Sequence, residues 1–429
     1  MAKRKVDITE SNSFYFYSLE LKGINCFKEN QILDLSNGKD DYSSWTIILG
    51  DNGTGKTTLL RAIDNMQPTG KPFEFNNQKL LIPKYLTSKK NEELLNDLKT
   101  ISIKLKYINN KKIKTLFLDL NSSIPFYLEE DKEIFLLSYG ASRRMSKSKR
   151  LRSSVSFNTS SLFDDEIELI NAEEWFLQKE TISDIAEPKA KNKFKKDLNF
   201  VKNLLIDILP DVFDIGIKPV NEENPNLLIQ VLTSYGWVNL RDLSFGYQTL
   251  TALIVDIASN MMDKYPASTN PLGEPVIVLI DEIDLHLHPK WQRTVIDKLS
   301  FHFPKAQFIV TAHSPLIVQA AQDRNANIVV CRKEGDRVII DNNPESVKGW
   351  RIDQILTSDL FEVSSSQSID IEKIRDEKIN ILLKNELSDS DKKRLEIINK
   401  ELNSNPVFSN KEAIDAENLI KKAAELLKK

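Results

Sequence analysis

An α/β fold built on a mixed sheet, with a helical insertion lobe and a helical C-terminal tail, is predicted by three observations. Val276–Ile280 and Gln307–Thr311 are short runs, apolar on both faces and a helix-length apart, which is how strands of a buried parallel sheet read. Leu19–Lys22 with Gln31–Leu35, and Ile101–Leu105 with Lys114–Leu118, alternate with period two around turn-like residues and add an antiparallel β subdomain. Between these groups, Glu173 to Leu209 carries helical spacing (Phe200, Leu204, Leu205, Ile208) up to Pro210.

The remaining elements follow in order. The early strand pair leads into the apolar run Trp45–Leu49 and then a helix-like Thr58–Ile63. Ile134–Tyr139 reads as a buried strand, after which Ser142 to Ser156 turns polar, Ser-rich and basic and marks a boundary. Beyond the helical lobe, Leu227–Val231 and Trp237–Leu240 suggest a small hairpin, followed by a helix over Thr249–Met262. Ile328–Cys331 and Val338–Ile340 form an edge hairpin across Glu334-Gly335-Asp336. From Ile369 the pattern is helical and highly charged, with breaks at Ser388–Asp391 and Asn403–Pro406. Ile414, Leu419, Ile420, Ala423, Leu426 and Leu427 then line one face of an amphipathic helix. The expected division is residues 1–140 and 266–360 for the two parts of a head, 141–265 for the insertion lobe and 361–429 for the tail.

At 429 residues the chain exceeds the length at which one core stops growing, so more than one lobe is expected. Charged residues make up 28% but nearly cancel to −3, so the overall field does not announce nucleic acid or an anionic membrane. Cys26 and Cys331 stand far apart in strand-like contexts and suit reduced core thiols. With no long apolar run and no secretory leader, the expectation is a cytoplasmic chain without a membrane partner.

Gly50-Asp51-Asn52-Gly53-Thr54-Gly55-Lys56-Thr57 joins the Trp45–Leu49 strand to a helix beginning near Thr58, the context of a phosphate-binding P-loop. Glycines clear the space for backbone N–H groups to face a triphosphate, and the helix N-terminus adds its partial positive charge. Lys56 supplies a cation for the outer phosphates, and Thr57 a hydroxyl for Mg²⁺. Asp281-Glu282 ends an apolar strand, so Asp281 faces Mg²⁺ while Glu282 stands where it polarises an attacking water. His313, after the next strand, lies at the C-terminal edge of the sheet, where ligands of α/β proteins bind. Leu243-Ser244-Phe245-Gly246-Tyr247-Gln248 opens a helix and, taken alone, is an ordinary capped start. His286 and His288 would suggest zinc, but no cysteine cluster accompanies them.

Taken together, in this order, these motifs resemble the P-loop NTPase heads of ABC type, in the lineage of SMC, RecF and OLD proteins. More narrowly, Tyr139-Gly140-Ala141-Ser142-Arg143 and Asp284-Leu285-His286-Leu287-His288-Pro289 are similar to a bacterial group of stand-alone ATP-binding proteins. The PtuA ATPases of Septu and related retron-associated defence systems are similar in outline. The resemblance implies Mg²⁺-dependent ATP hydrolysis at a site completed by a second copy. Lys56, Glu282 and His313 would then be catalytic, with Gly50 to Thr58 on the nucleotide and Ser244, Gly246 and the D-loop Asp284 at the dimer seam. Cys26 and Phe27 would flank the base. Tyr139 to Arg143 would occupy the Q-loop region, although no glutamine is present there. The short tail implies that a nuclease or toxin effector is a separate chain.

Arg143, Arg144, Lys147, Lys149, Arg150 and Arg152 form a dense basic stretch that reads as a solvated loop or as a site for nucleic acid or an acidic partner. The alternative role is accordingly a RecF- or SMC-like DNA-binding ATPase in DNA repair.

Overall fold

The computed structural model describes residues 14–65, 102–109, 112–119, 135–147, 161–218, 228–361, 363, 368–384 and 387–403. The first strands are β1 (Phe14–Lys22), β2 (Gln31–Asp34) and β3 (Trp45–Gly50), followed by α1 (Lys56–Asn65), the hairpin β4 (Ser102–Asn109) and β5 (Lys112–Asp119), and β6 (Leu136–Tyr139). Two helices, α2 (Ala172–Ile185) and α3 (Pro188–Ile208), precede β7 (Asp214–Lys218), β8 (Leu228–Thr233), β9 (Gly236–Asn239) and the long α4 (Phe245–Lys264). Next come β10 (Val276–Ile280), α5 (Pro289–Gln292), α6 (Val295–His302), β11 (Ala306–Thr311), α7 (Pro315–Asp323), β12 (Asn327–Glu334), β13 (Arg337–Asp341) and α8 (Ile352–Leu356). The tail contributes α9 (Ile369–Leu382) and α10 (Asp389–Asn403).

The strands form an α/β P-loop fold of three sheets. Six strands run in the order β13-β12-β3-β11-β10-β6, and β12, β3, β11, β10 and β6 are mutually parallel with β13 antiparallel at the edge. Every residue of β10 and β11 is buried, as two-sided apolar runs demand of central strands. Four antiparallel strands, β2-β1-β4-β5, make the second sheet, and β7-β8-β9 the third. The hairpin expected near Leu227 is β8–β9; β7, which pairs with β8, was hidden because Asp214–Lys218 offers only two apolar residues around Gly216.

Gln307 links the first two sheets. It is fully buried in β11, and its side-chain amide pairs with the backbone of Phe16: Phe16 N donates to Oε1 and Nε2 donates to Phe16 O, both at 2.7 Å. Phe16 lies where the β1–β4 register shifts, so the glutamine satisfies backbone groups at an irregularity of the ladder. Beside it, Trp45 stacks on Phe308 with ring centroids 4.2 Å apart.

Contacts divide the chain into two compact units, Met1–Ile355 and Leu356–Lys429. Within the second, α9 and α10 pack through Ile381, Ile398 and Leu402. The break expected at Ser388–Asp391 is the start of α10, where Asp391 N donates to Ser388 Oγ at 3.2 Å and Ser388 N donates back to the Asp391 carboxylate at 3.1 Å. This reciprocal capping box restarts the helix. The amphipathic run from Ile414 lies outside the described residues.

Gln307→Leu keeps the volume but strands two buried backbone groups of Phe16. It is expected to cost about 3 kcal/mol, since each unpaired group is worth roughly 1–3 kcal/mol, read as a lower urea midpoint with an unchanged slope.

Candidate nucleotide site

In the parallel sheet the C-terminal ends of β3, β10 and β11 fall side by side, so the loops after them share one edge. The loop after β3 leads straight into α1, whose first amides have no partner within the helix and face outward as donors. Asp51, Asn52 and Gly53 are exposed at its tip, Thr54 is buried, and Gly55, Thr57 and Thr58 are half-buried. Gly55 has φ +81°, and an added Cβ would meet Cys26 Sγ and the Phe27 ring, so only glycine fits.

Lys56 is buried, and its Nζ donates to the carbonyls of Gly50 and Asp51, each at 2.8 Å. Burial pushes its ammonium below the ordinary lysine value, while the charges of Asp281, Glu282 and Asp51 oppose that shift. The lysine is thus held against the loop that would receive a phosphate.

Asp281 is fixed from both sides. Thr57 Oγ1 donates to one carboxylate oxygen at 2.7 Å and Thr311 Oγ1 to the other at 2.6 Å. Thr311 Oγ1 also accepts from Glu282 N at 2.6 Å. Glu282 has φ +49°, a left-handed conformation that costs a non-glycine residue on the order of 1–3 kcal/mol and persists only where neighbours enforce it. Asp284 accepts from His313 N at 3.1 Å, and the His313 side chain is exposed. The structure therefore gathers Lys56, Thr57, Asp281, Glu282, Asp284 and His313 along one edge of the sheet.

Ser244 and Gly246 stand on another element. Ser244 is the exposed N-cap of α4, and its side chain makes no capping hydrogen bond. Gly246 is buried, and a Cβ there would run into the carbonyl oxygen of His286, so the start of α4 lies against the Asp284–His288 loop. Phe245 and His286 meet edge to face at 4.8 Å, and Trp291 meets Tyr247 the same way at 4.3 Å. Gln292 Nε2 closes the loop by donating to Asp284 O at 3.2 Å and Leu287 O at 3.0 Å. His288 Nδ1 accepts from Lys290 N at 3.3 Å and so caps α5.

A protein family described as "AAA domain, putative AbiEii toxin, Type IV TA system" matches residues 46–319, from the P-loop strand through the His313 loop. The chain belongs to that family. Septu protein PtuA of Bacillus mycoides (strain KBAB4) is 30% identical over 336 residues, which is 77% of this chain and 43% of that protein. Retron Vc95 probable ATPase of Vibrio cholerae serotype O1 biovar El Tor is 38% identical over 152 residues, 34% of this chain and 29% of that one. The chain thus spans less than half the length of these two relatives. Among solved structures, the SMC head domain from Thermotoga maritima aligns with a TM-score of 0.42 and 16% identity, covering 77% of this chain and 99% of that domain.

Two expectations for this family member change. Arg143 does not belong to a solvated basic patch: it is buried, and its guanidinium donates to the carbonyls of Gly140, Asp281 and Glu282. Burial lowers its pKa to about 10, the carboxylates of Asp281, Asp284 and Glu282 acting the other way. Arg144 and Lys147 are exposed, whereas Lys149, Arg150 and Arg152 lie outside the described residues. Phe27 is fully buried beneath Gly55 and belongs to the core rather than to a base-stacking surface. Both cysteines are free thiols, and burial pushes Cys331 up to about 12.

Thr311 and Gln292 were missed because a Thr at a strand end and a Gln in a short helix carry no signature of their own. Arg143 was missed because it sits in a run of basic residues; its real signal is that β6 pairs with β10, Tyr139 opposite Ile280, which no local pattern reveals.

Gly246→Ala is expected to destabilise the chain by about 1–3 kcal/mol, as overpacking against backbone does, because helix and loop must part. Thermal unfolding would detect the shift.

Proposed function

We propose that this chain is an ATP-binding and ATP-hydrolysing ABC-type ATPase that dimerises around ATP and switches a complex, in bacterial anti-phage defence with a separate nuclease or toxin effector. The observation that carries this is the Asp281 carboxylate held between Thr57 of the P-loop and Thr311, with Lys56 and Glu282 at the same edge. A carboxylate and a hydroxyl oxygen 2.7 Å apart are hard donors that suit Mg²⁺, so Asp281 and Thr57 are the residues that would hold it. When bound, Mg²⁺ would neutralise charge on the β- and γ-phosphates.

The remaining work falls to the chain. Amides of Gly53 to Thr58 and the Lys56 ammonium bind and orient the phosphates. Glu282 accepts a proton from the attacking water, and His313 stands at the same edge to reach the γ-phosphate. Ser244 supports the dimer reading. Its hydroxyl is exposed at the N-terminus of a 20-residue helix and is not spent on capping, and among the described residues no hydrogen bond joins it to Gly50–Thr57. A second copy's Ser244 and Asp284 would complete the site, giving two composite sites per pair. The defence role rests on the family and on the similarity to the Septu and retron proteins.

Lys56→Ala should weaken ATP binding, since it removes the lysine folded onto the loop; a fluorescent ATP analogue would report the loss. Glu282→Gln should keep ATP affinity, lower turnover by about 10²-fold or more and accumulate an ATP-bound dimer in light scattering. A Glu282→Gln protein that binds ATP yet stays monomeric at every concentration would remove the dimer from this reading.

A further inference from the structure

One residue of the basic block behaves unlike its described neighbours. Arg144 and Lys147 are exposed, whereas Arg143 is buried, and its fork spans the consecutive carbonyls of Asp281 and Glu282, the latter at 2.8 Å. A third bond, at 3.1 Å, ties it to Gly140 in its own loop. A guanidinium has only donors, so in this position it cannot ligate a cation. What it does hold is backbone.

Glu282 is fixed on its amide side by Thr311 Oγ1 at 2.6 Å and on its carbonyl side by Arg143. Its φ of +49° is the conformation those two anchors bracket, and φ together with the flanking peptide planes sets the direction of the Cα–Cβ bond. Arg143 and Thr311 therefore fix the direction in which the Glu282 side chain leaves the backbone. We infer that Arg143 is a positioning residue for ATP hydrolysis, acting through the backbone of Asp281-Glu282 to hold the Glu282 carboxylate on the attacking water. This rests on the reading of Glu282 as the base. Lysine keeps the charge but is shorter and offers one ammonium nitrogen in place of a rigid planar fork, so Arg143→Lys removes the two-nitrogen geometry that fits Asp281 O and Glu282 O together while leaving a cation in place.

The test uses the full chain as wild type, R143K, E282Q and the double variant, with Arg143→Gln as a second probe should the lysine variant fold poorly. Thermal unfolding establishes that each is folded. A fluorescent ATP analogue gives affinity, phosphate release gives turnover, and hydrogen exchange reports the Glu282 and Ile283 amides without nucleotide. The expected result is ATP affinity within about threefold of wild type, turnover lower by roughly 10²-fold as for an ångström-scale misplacement, and faster exchange at those two amides. The double variant should be no slower than E282Q alone, because Arg143 acts through the group that E282Q has already removed. R143K at wild-type turnover, or a double variant slowed by the product of the two single effects, overturns this inference alone. E282Q at wild-type turnover overturns the assignment of the base and the inference with it.

Discussion

The carboxylate of Asp281 accepts a hydroxyl from the P-loop and another from the neighbouring strand, and in doing so joins three stretches of chain remote in sequence. A buried carboxylate must be met by donors, since an unpaired one is too costly to keep charged. Here both donors are threonines at strand or helix ends, so the demand for pairing also aligns β3, β10 and β11 at the edge where their loops emerge. Lys56, Glu282 and the Asp284–His313 contact inherit their positions from that alignment.

Much of this was legible in the sequence, and the reason is chemical necessity. A phosphate cradle requires glycines followed by Lys56 and Thr57, and a fully buried parallel strand requires an unbroken apolar run before Asp281, so both wrote local patterns. The antiparallel pairs were readable from period-two alternation. The failures share a different cause. Arg143 and Thr311 act on backbone atoms of distant segments, and the geometry that brings them there is the strand order, which spacing along the chain does not encode; Gln292 binds the carbonyls of Asp284 and Leu287 in its own loop, whose path no local pattern gives. Gly246 was readable as part of a motif, but its reason, the carbonyl of His286 pressed against it, was not.

The basic block shows how composition misleads. Six cations in a short span read as one surface, yet the protein buries the first and exposes the next two that are described. Desolvating a guanidinium is worthwhile only where several carbonyls converge, and the ends of β6 and β10 supply them. The same local excess of charge therefore divides between an interior strut and a solvated face.

The strand order has a consequence in time. β3 takes its neighbours from β11 and β12, with Thr46 opposite Ile309 and Gly50 opposite Cys331, so both of its edges wait for segments translated far later. At ribosomal rates of about 5–20 residues per second, that interval is on the order of tens of seconds. Throughout it the Trp45–Leu49 run, apolar on both faces, is made but unpaired, the kind of edge that recruits other chains. Newly made chains would be at their most adhesive over that interval, before the sheet that carries the nucleotide loop has closed.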